Sequence, residues 1–393
     1  MLKYSLGRRK IAGVAVAVAL VPTAATAVDA TWEAWLPIPG VVDLDGPRSD
    51  GAFVVAGSAA LYLVDAAGNA QPFARGPGGY HEDAGKQAYI ALSPGGHVAA
   101  SNCDFAPDDT YVLRLHTPLG VNRVNAEGTE SGSFVNIDNV STLTGIAFDG
   151  TGAFDHRLLV MGRSGGNTDV FAIDCNGVGQ FIARGLPALE GQMSVAPPGF
   201  GAFGGNLIIP DETGRILALA PNGSLRVILS RPLPAGVNVT LGGVGFVPDG
   251  FADRGGFVYH ADHRTPGSAF PGSDTLLRLS SDVLAAAGVQ DGDLLAASED
   301  GGALISVHCE TSCRTVRVLA GDGKAHVEGH IAFSVNAAPP NPTPAAGPAL
   351  KQPLVPVAVV DYVGQWGIPT FVFLLLLGVV GALAVQAFRH RAK

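Results

Sequence analysis

Short runs of alternating apolar and polar residues, each closed by a Gly-, Pro- or Asn-rich turn, fill the chain from residue 31 to residue 335. The clearest unit is Glu190–Asn222. It reads as a short strand, a Pro/Gly turn, a second strand (Asn206–Ile209) closed by Asp211 and Glu212, a tight turn, and a third strand (Ile216–Leu219) ending at Asn222-Gly223. Period-two apolarity broken by Asn-Gly is a hairpin signal. Three stretches, Phe148–Val160, Val195–Ile209 and Phe246–Tyr259, align as an apolar residue, a turn, an aromatic residue and an apolar strand, and Ala91–Val98 is a shorter copy. Their period is roughly 45–50 residues, the range of propeller blades. One such sheet cannot bury both of its faces, whereas a ring of them can.

Second strands near Phe53, Val98, Leu159, Ile208, Val258 and Leu295 predict an all-β fold, a six-bladed β-propeller, with seven blades as the alternative. One blade lacks a first strand after Ser281, where Asp282–Val289 reads as a short helical insertion. His326–Val335 has the character of a first strand and is expected to close the ring by joining the N-terminal blade at Val41–Leu44, leaving no open edge.

The two ends change the picture. Lys3, Arg8, Arg9 and Lys10 precede an apolar run, Ile11–Val21, and then Ala25-Thr26-Ala27, the three-part pattern of a secretory signal peptide. Ile368–Phe388 is long enough to cross a bilayer, follows Tyr362 and Trp366, and precedes Arg389, His390, Arg391 and Lys393. The sequence therefore predicts a signal peptide (1–27), a propeller ectodomain (28–335), a Pro/Ala-rich linker (336–367), a transmembrane helix (368–388) and a basic cytoplasmic tail (389–393). The expected protein is exported, single-pass, and displayed on the cell surface or the periplasmic side. Gln365-Trp366-Gly367, the apolar helix and the basic end also resemble bacterial C-terminal sorting tails.

Hydrophobic residues at 47% and charged residues at only 15% fit membrane segments plus a core of many strands, and 53 Gly with 27 Pro fit frequent turns. The net charge is −9, and between the termini the lysines are Lys86, Lys324 and Lys351. No basic stripe is present, which excludes nucleic acid as a partner. Four cysteines in an exported chain predict disulfides. Cys309–Cys313 spans a loop that can close locally, which leaves Cys103 with Cys175.

Glu190-Gly191 and Glu328-Gly329, each leading into a strand, and Asn206–Asp211, an apolar second strand ending in Asp, resemble the blades of the gluconolactonase/regucalcin (SMP-30) and NHL-like propellers. The resemblance covers most of residues 40–335 at the level of the repeat. It implies a metal-dependent lactonase-type site in which a Glu, an Asn and an Asp surround one divalent ion. By position the Glu is Glu328 or Glu190, the Asp is Asp211 or Asp262, and Asn102 is the nearest Asn.

Read from the residues themselves, His326-x-Glu328-x-His330 places two imidazoles and a carboxylate on one face of a strand, a donor set for Zn²⁺ or another divalent metal such as Ca²⁺. The simpler reading is a hydrogen-bonded polar seam between blades. Residues at second-strand ends (Asn102 and Asp104, Arg163, Asp211 and Glu212, His260, Asp262 and His263, Glu299 and Asp300) are expected to converge at one mouth of the axial channel. Of these, Asn102, Arg163, His260 and His263, with Glu190, are the candidate ligand-binding residues. Asp43-Leu-Asp45-Gly46 and Asp291-Gly-Asp293 look like fragments of calcium loops and are assigned to turns. No nucleophile elbow or P-loop is present. The sequence thus predicts a membrane-anchored module that binds a protein, glycan or small molecule on its ring face. A metal-dependent hydrolase of lactones or esters is the alternative.

Overall fold

The period-two runs become strands, and the Asn-Gly pairs become the turns between them. Gly177 and Gly223 adopt φ of 77° and 83°, a region that only glycine enters without strain. The computed structural model describes residues 30–338, apart from 76–78, 83–85 and 234–239. The chain divides into two units, Met1–Ala338 and Pro339–Lys393, the second lying outside the described residues. The predicted leader, most of the linker, the apolar run 368–388 and the basic tail also lie outside them. Among the described residues no helix is long and apolar enough to cross a membrane.

Along the chain, β1 (Glu33–Pro37) comes first. Blade 1 follows as β2 (Asp43–Asp45), β3 (Phe53–Gly57), β4 (Ala60–Val64) and β5 (Ala70–Phe73). Blade 2 opens with β6 (Ile90–Leu92), which is followed by a separate hairpin, β7 (Gly96–Val98) with β8 (Cys103–Phe105). The blade then continues with β9 (Thr110–Arg114), β10 (Gly120–Val124) and β11 (Ser131–Asn136). Blade 3 is β12 (Thr142–Phe148), β13 (Leu158–Ser164), β14 (Asn167–Ile173) and β15 (Gly179–Leu186). Blade 4 is β16 (Ser194–Val195), β17 (Leu207–Pro210), β18 (Arg215–Leu219) and β19 (Leu225–Ser230). The remaining elements are β20 (Leu241–Phe246), α1 (Phe251–Arg254), β21 (Gly256–Asp262), β22 (Thr275–Ser280), α2 (Ser281–Ala286), β23 (Leu294–Ser298), β24 (Leu304–Cys309), β25 (Cys313–Leu319) and β26 (Val327–Val335).

These last strands do not pair in order. Blade 5 runs β20-β23-β24-β25, and blade 6 runs β26-β21-β22-β1. The first strands β2, β6, β12, β16, β20 and β26 each touch the next and form a closed inner ring. Six four-stranded sheets among the described residues make the chain an all-β, six-bladed propeller.

Three expectations change. The stretch Phe246–Tyr259 resembles one blade's first two strands, yet β20 and β21 belong to different blades. That exchange accounts for both irregularities in the repeat. The blade after Ser281 takes its first strand from β20, upstream, and β26 supplies the first strand that β21 lacks. Second, β26 pairs with β21 rather than with Val41–Leu44, and it is β1, added outside β22, that closes the ring. Third, Val98 lies in the β7–β8 hairpin, and the second strand of blade 2 is β9. Gly95 and Gly96 at positive φ turn the chain back before Val98 can reach β6. The helical insertion is present as α2.

Six apolar clusters fill the six blade interfaces, one each. The closing interface, between blades 6 and 1, centres on Tyr259, whose ring lies 4.9 Å from Phe53 and 4.8 Å from Trp35 of β1. Arg278 of β22 bonds Glu33 of β1 through two nitrogens at 2.7 and 3.0 Å. Both predicted disulfides, Cys103–Cys175 and Cys309–Cys313, are formed. The first ties the β7–β8 hairpin to blade 3, where Asp155 also accepts the Ala99 and Ala100 N–H groups.

Tyr259→Ala should therefore cost about 3–5 kcal/mol, whereas Val227→Ala, at an exposed position of β19, should stay within about 0.5 kcal/mol. Denaturant unfolding of the two variants measures both.

Candidate functional site

The inner strands set the axis, and Asp43 of β2 occupies it. Its carboxylate is fully buried. Oδ1 accepts the His330 backbone N–H at 2.6 Å, and Oδ2 accepts the Ile90 N–H at 2.8 Å and Gln192 Nε2 at 2.9 Å. The His330 ring adds Nδ1 at 3.1 and 3.2 Å from the two oxygens. Gln192 Oε1 in turn accepts the Ile146 N–H of β12 at 3.2 Å. Blades 1, 2, 3, 4 and 6 are thereby tied at one point. Burial alone would lower the His330 pKa, but Asp43 and Asp45 outweigh it and raise it to about 9, so the imidazolium is the resting form at neutral pH.

This plug separates two cavities. One, of about 480 Å³, is reached past Asp45, Ser194 and His330. The other, of about 810 Å³, opens at the opposite mouth over Glu190, Glu299, His326 and Glu328. The expectation that His326, Glu328 and His330 act together fails for His330. β26 carries extra residues opposite His260, with Gly329 at φ 80°, and the strand's rise takes His330 down to the plug. A Cβ on Gly329 would lie 2.3 Å from Asp43 Oδ1, so the two strands meet only because that position is glycine.

At the floor of the larger cavity, His326 Nε2 lies 3.3 Å from Glu328 Oε1 and 3.5 Å from Glu299 Oε1. Glu299 is the residue that joins the pair named by the sequence motif. Each member is oriented by neighbours. His326 Nδ1 faces Asp300 Oδ1 at 3.1 Å, and its backbone N–H donates to Asp262 at 2.8 Å. Glu328 accepts Gln87 Nε2 at 2.8 Å and the Tyr89 hydroxyl at 2.6 Å. Burial and Glu328 hold the Tyr89 pKa well above its usual value, so the hydroxyl stays a donor. Burial and the Glu328 charge raise the Glu299 pKa, and burial and Glu212 raise that of Glu190.

The three groups fit a divalent cation. Their donor atoms lie within 4.8 Å of one another. The two edges of 3.3 and 3.5 Å match the roughly 3.4 Å between ligands of a tetrahedral zinc with bonds of about 2.1 Å. Asp300 bonds Nδ1 and leaves Nε2 facing the two carboxylates; burial alone would lower the His326 pKa, but Glu328 and Glu299 raise it to about 9, so a cation would have to displace the Nε2 proton. Two carboxylates with one imidazole suit Zn²⁺ better than the all-oxygen preference of Ca²⁺.

The other candidates distribute as follows. Arg163 bonds Glu190 at 2.6 Å and approaches Glu212 at 3.6 Å on the cavity wall. His263 faces the cavity, its Nδ1 bonded to the Val41 carbonyl at 2.8 Å. Asp262 supports His326 from behind. Asp211 is fully buried away from the cluster, where it accepts the Arg215 N–H at 2.7 Å and pairs with the Arg215 guanidinium. Asn102 is exposed in the β7–β8 turn. His260 is completely buried between blades 5 and 6, and its Nε2 has no partner among the described residues. Sequence reasoning missed Asp43, Gln87, Tyr89 and Gln192. The Asp43–Gly46 stretch was assigned to a turn, but only Asp45 serves one, accepting the Gly46 N–H at 2.7 Å.

No protein-family model matches the sequence, and no curated protein matches it. Among solved structures the chain is similar to virginiamycin B lyase from Staphylococcus aureus, at 9% identity and a TM-score of 0.43 over 74% of this chain and 73% of that one. It is also similar to the gluconolactonase XC5397 from Xanthomonas campestris, at 15% identity and a TM-score of 0.37 over 60% of this chain and 71% of that one. Both likenesses concern architecture alone.

Burial holds the His260 pKa down at about 4. Above pH 6.5 the ring is neutral in the folded and unfolded chains, and its full contribution is present. As pH falls from 6.5 toward 4, only the unfolded chain takes up the proton, so stability should drop by about 3 kcal/mol. His260→Leu should flatten that segment of the stability curve, measured by denaturant unfolding across the range.

Proposed function

We propose that the protein is an extracytoplasmic ligand-binding propeller whose ligand enters the 810 Å³ cavity and meets a divalent cation held by Glu299, His326 and Glu328. The reading rests on one observation, the convergence of those three donors at metal-ligand spacing on a floor braced by Asp300, Gln87 and Tyr89. Two disulfides suit an oxidising compartment outside the cytoplasm. Ile368–Phe388 would tether the protein to the membrane.

A second reading, hydrolysis of a lactone or ester, is favoured by Glu190. It faces the same cavity, and burial with Glu212 raises its pKa toward neutrality, the range of a general base. A bound cation would supply Lewis acidity toward a carbonyl. Glu190 would take the proton of the attacking water, Arg163 would hold Glu190 in place, and Tyr89 would keep Glu328 turned to the floor.

Elemental analysis of the full-length protein should find one divalent ion per chain, lost with chelator. Zn²⁺ at a hundred times its dissociation constant should stabilise the fold by about 2.7 kcal/mol. His326→Ala and Glu328→Gln should abolish that shift and Asn102→Ala should leave it unchanged. An unshifted melting curve in the wild type would overturn the cation site. Lactone or ester turnover that disappears in Glu190→Gln while the metal stays bound would select the hydrolase.

A further inference from the structure

The mouth on the far side of the Asp43 plug differs in chemistry from the acidic one. It has two lobes, of about 480 and 400 Å³. Both are lined by Asp45, Gly46, Pro47, Ser194 and His330, so they meet over those residues. Apolar side chains form much of the walls, among them Leu92, Phe148 and Met193 in the first lobe and Phe246, Ile331 and Phe333 in the second.

Asp45, the last residue of β2, is partly buried where the lobes meet. Its Oδ1 accepts the Gly46 N–H at 2.7 Å and its Oδ2 the Leu92 N–H at 2.7 Å. No side chain among the described residues donates to it, so each oxygen keeps a lone pair for a further donor. His330 is the cation that acts on it, but that ring is already bonded to Asp43 and to the Ile146 backbone. Two carboxylates thus share one imidazolium. Burial outweighs the attraction of His330 and raises the Asp45 pKa. The other charged groups of the lining are engaged in the rim loops or face solvent. Arg48 donates to Asp50 and to the Asp108 carbonyl, and the Asp108 carboxylate accepts the Ser49 N–H and hydroxyl. Arg254 donates to the Gly250 and Asp249 carbonyls, and Asp249 is exposed.

We propose that this mouth binds a small apolar amine, its ammonium on Asp45 and its hydrocarbon body against the wall of one lobe. An ammonium supplies both the donors that the carboxylate oxygens lack and the positive charge that two carboxylates and one imidazolium leave missing. Each lobe has the volume of a small-ligand site, and an apolar wall with one fixed polar anchor is the usual make-up of such sites. The inference is independent of the proposed cation floor, which lies beyond Asp43 at the opposite mouth.

Calorimetric titration of the full-length protein at neutral pH with cyclohexylamine, cyclohexanol, cyclohexanecarboxylate and methylamine, each separately, tests it. The expected result is saturable one-to-one binding of cyclohexylamine, tenfold or more weaker for the alcohol and for methylamine, and none for the carboxylate. Asp45→Asn should weaken amine binding tenfold or more. Ser194→Phe keeps the carboxylate but fills the space where the lobes meet, so it should do the same, and it decides the matter if Asp45→Asn fails to fold. Glu190→Gln, at the other mouth, should leave amine binding unchanged. Loss in Glu190→Gln with full binding in Ser194→Phe would move the amine to the acidic cavity and overturn the proposal. Equal binding of methylamine would reduce the site to bare charge, and equal binding of cyclohexanol would reduce it to apolar contact; either overturns the ligand class. The absence of saturable cyclohexylamine binding would overturn the site itself.

Discussion

A single buried carboxylate, that of Asp43, holds the ring together at its axis. Taking a charge out of water is costly, and it is tolerated here because backbone and side-chain donors from blades 2, 4 and 6 converge on its two oxygens. Ile90 and His330 donate from inner strands and Gln192 from the lead-in to β16, so the bonds fix the relative height of those strands. The close approach it demands explains the glycines around it. Gly329 lies against Asp43, and a Cβ on Gly243 of β20 would lie 2.0 Å from the Gly329 carbonyl. Apolar packing fills the wedges between blades, but it is indifferent to small slides. The axial bonds are not, and they decide where the functional side chains stand.

The proposed cation floor depends on that register. Its three donors come from blades 5 and 6, while Gln87 and Tyr89 of blade 2 and Asp262 behind His326 set their orientation. A shift of one blade by a single residue would take Tyr89 off Glu328. The site is thus a property of the closed ring, assembled from groups that are distant in sequence.

Much of the architecture was legible because a propeller writes its period into the chain. The Asn-Gly turns, the helix after Ser281, the six blades and both disulfides follow from local signals. The exchange between blades 5 and 6 was not legible, because β20 and β21 carry the same local pattern as strands that do pair. Which of two similar strands accepts a partner is settled by interface packing, not by period. At the site, His326 and Glu328 were visible as a motif, and Glu299 as a strand end. His330 was misplaced because period-two reasoning assumes an unbroken strand, and the bulge at Gly329 breaks it. Asp43 was read as part of a turn, and Gln87 and Tyr89 gave no sign, since each acquires its role from residues far along the chain.

The shared blade 6 also imposes an order on assembly. Glu33 meets Arg278 across 245 residues of sequence, and β21 has no inner partner until β26, the last of the described strands, has been made. A chain that ends between Leu319 and Val327 carries every strand of blades 1 to 5, yet it leaves Asp43 without His330 and the inner edge of β21 without β26. An incomplete product therefore advertises itself through an unpaired edge of the kind that invites aggregation and capture by quality-control factors. β1 and β26 together act as a completeness check on the whole ring.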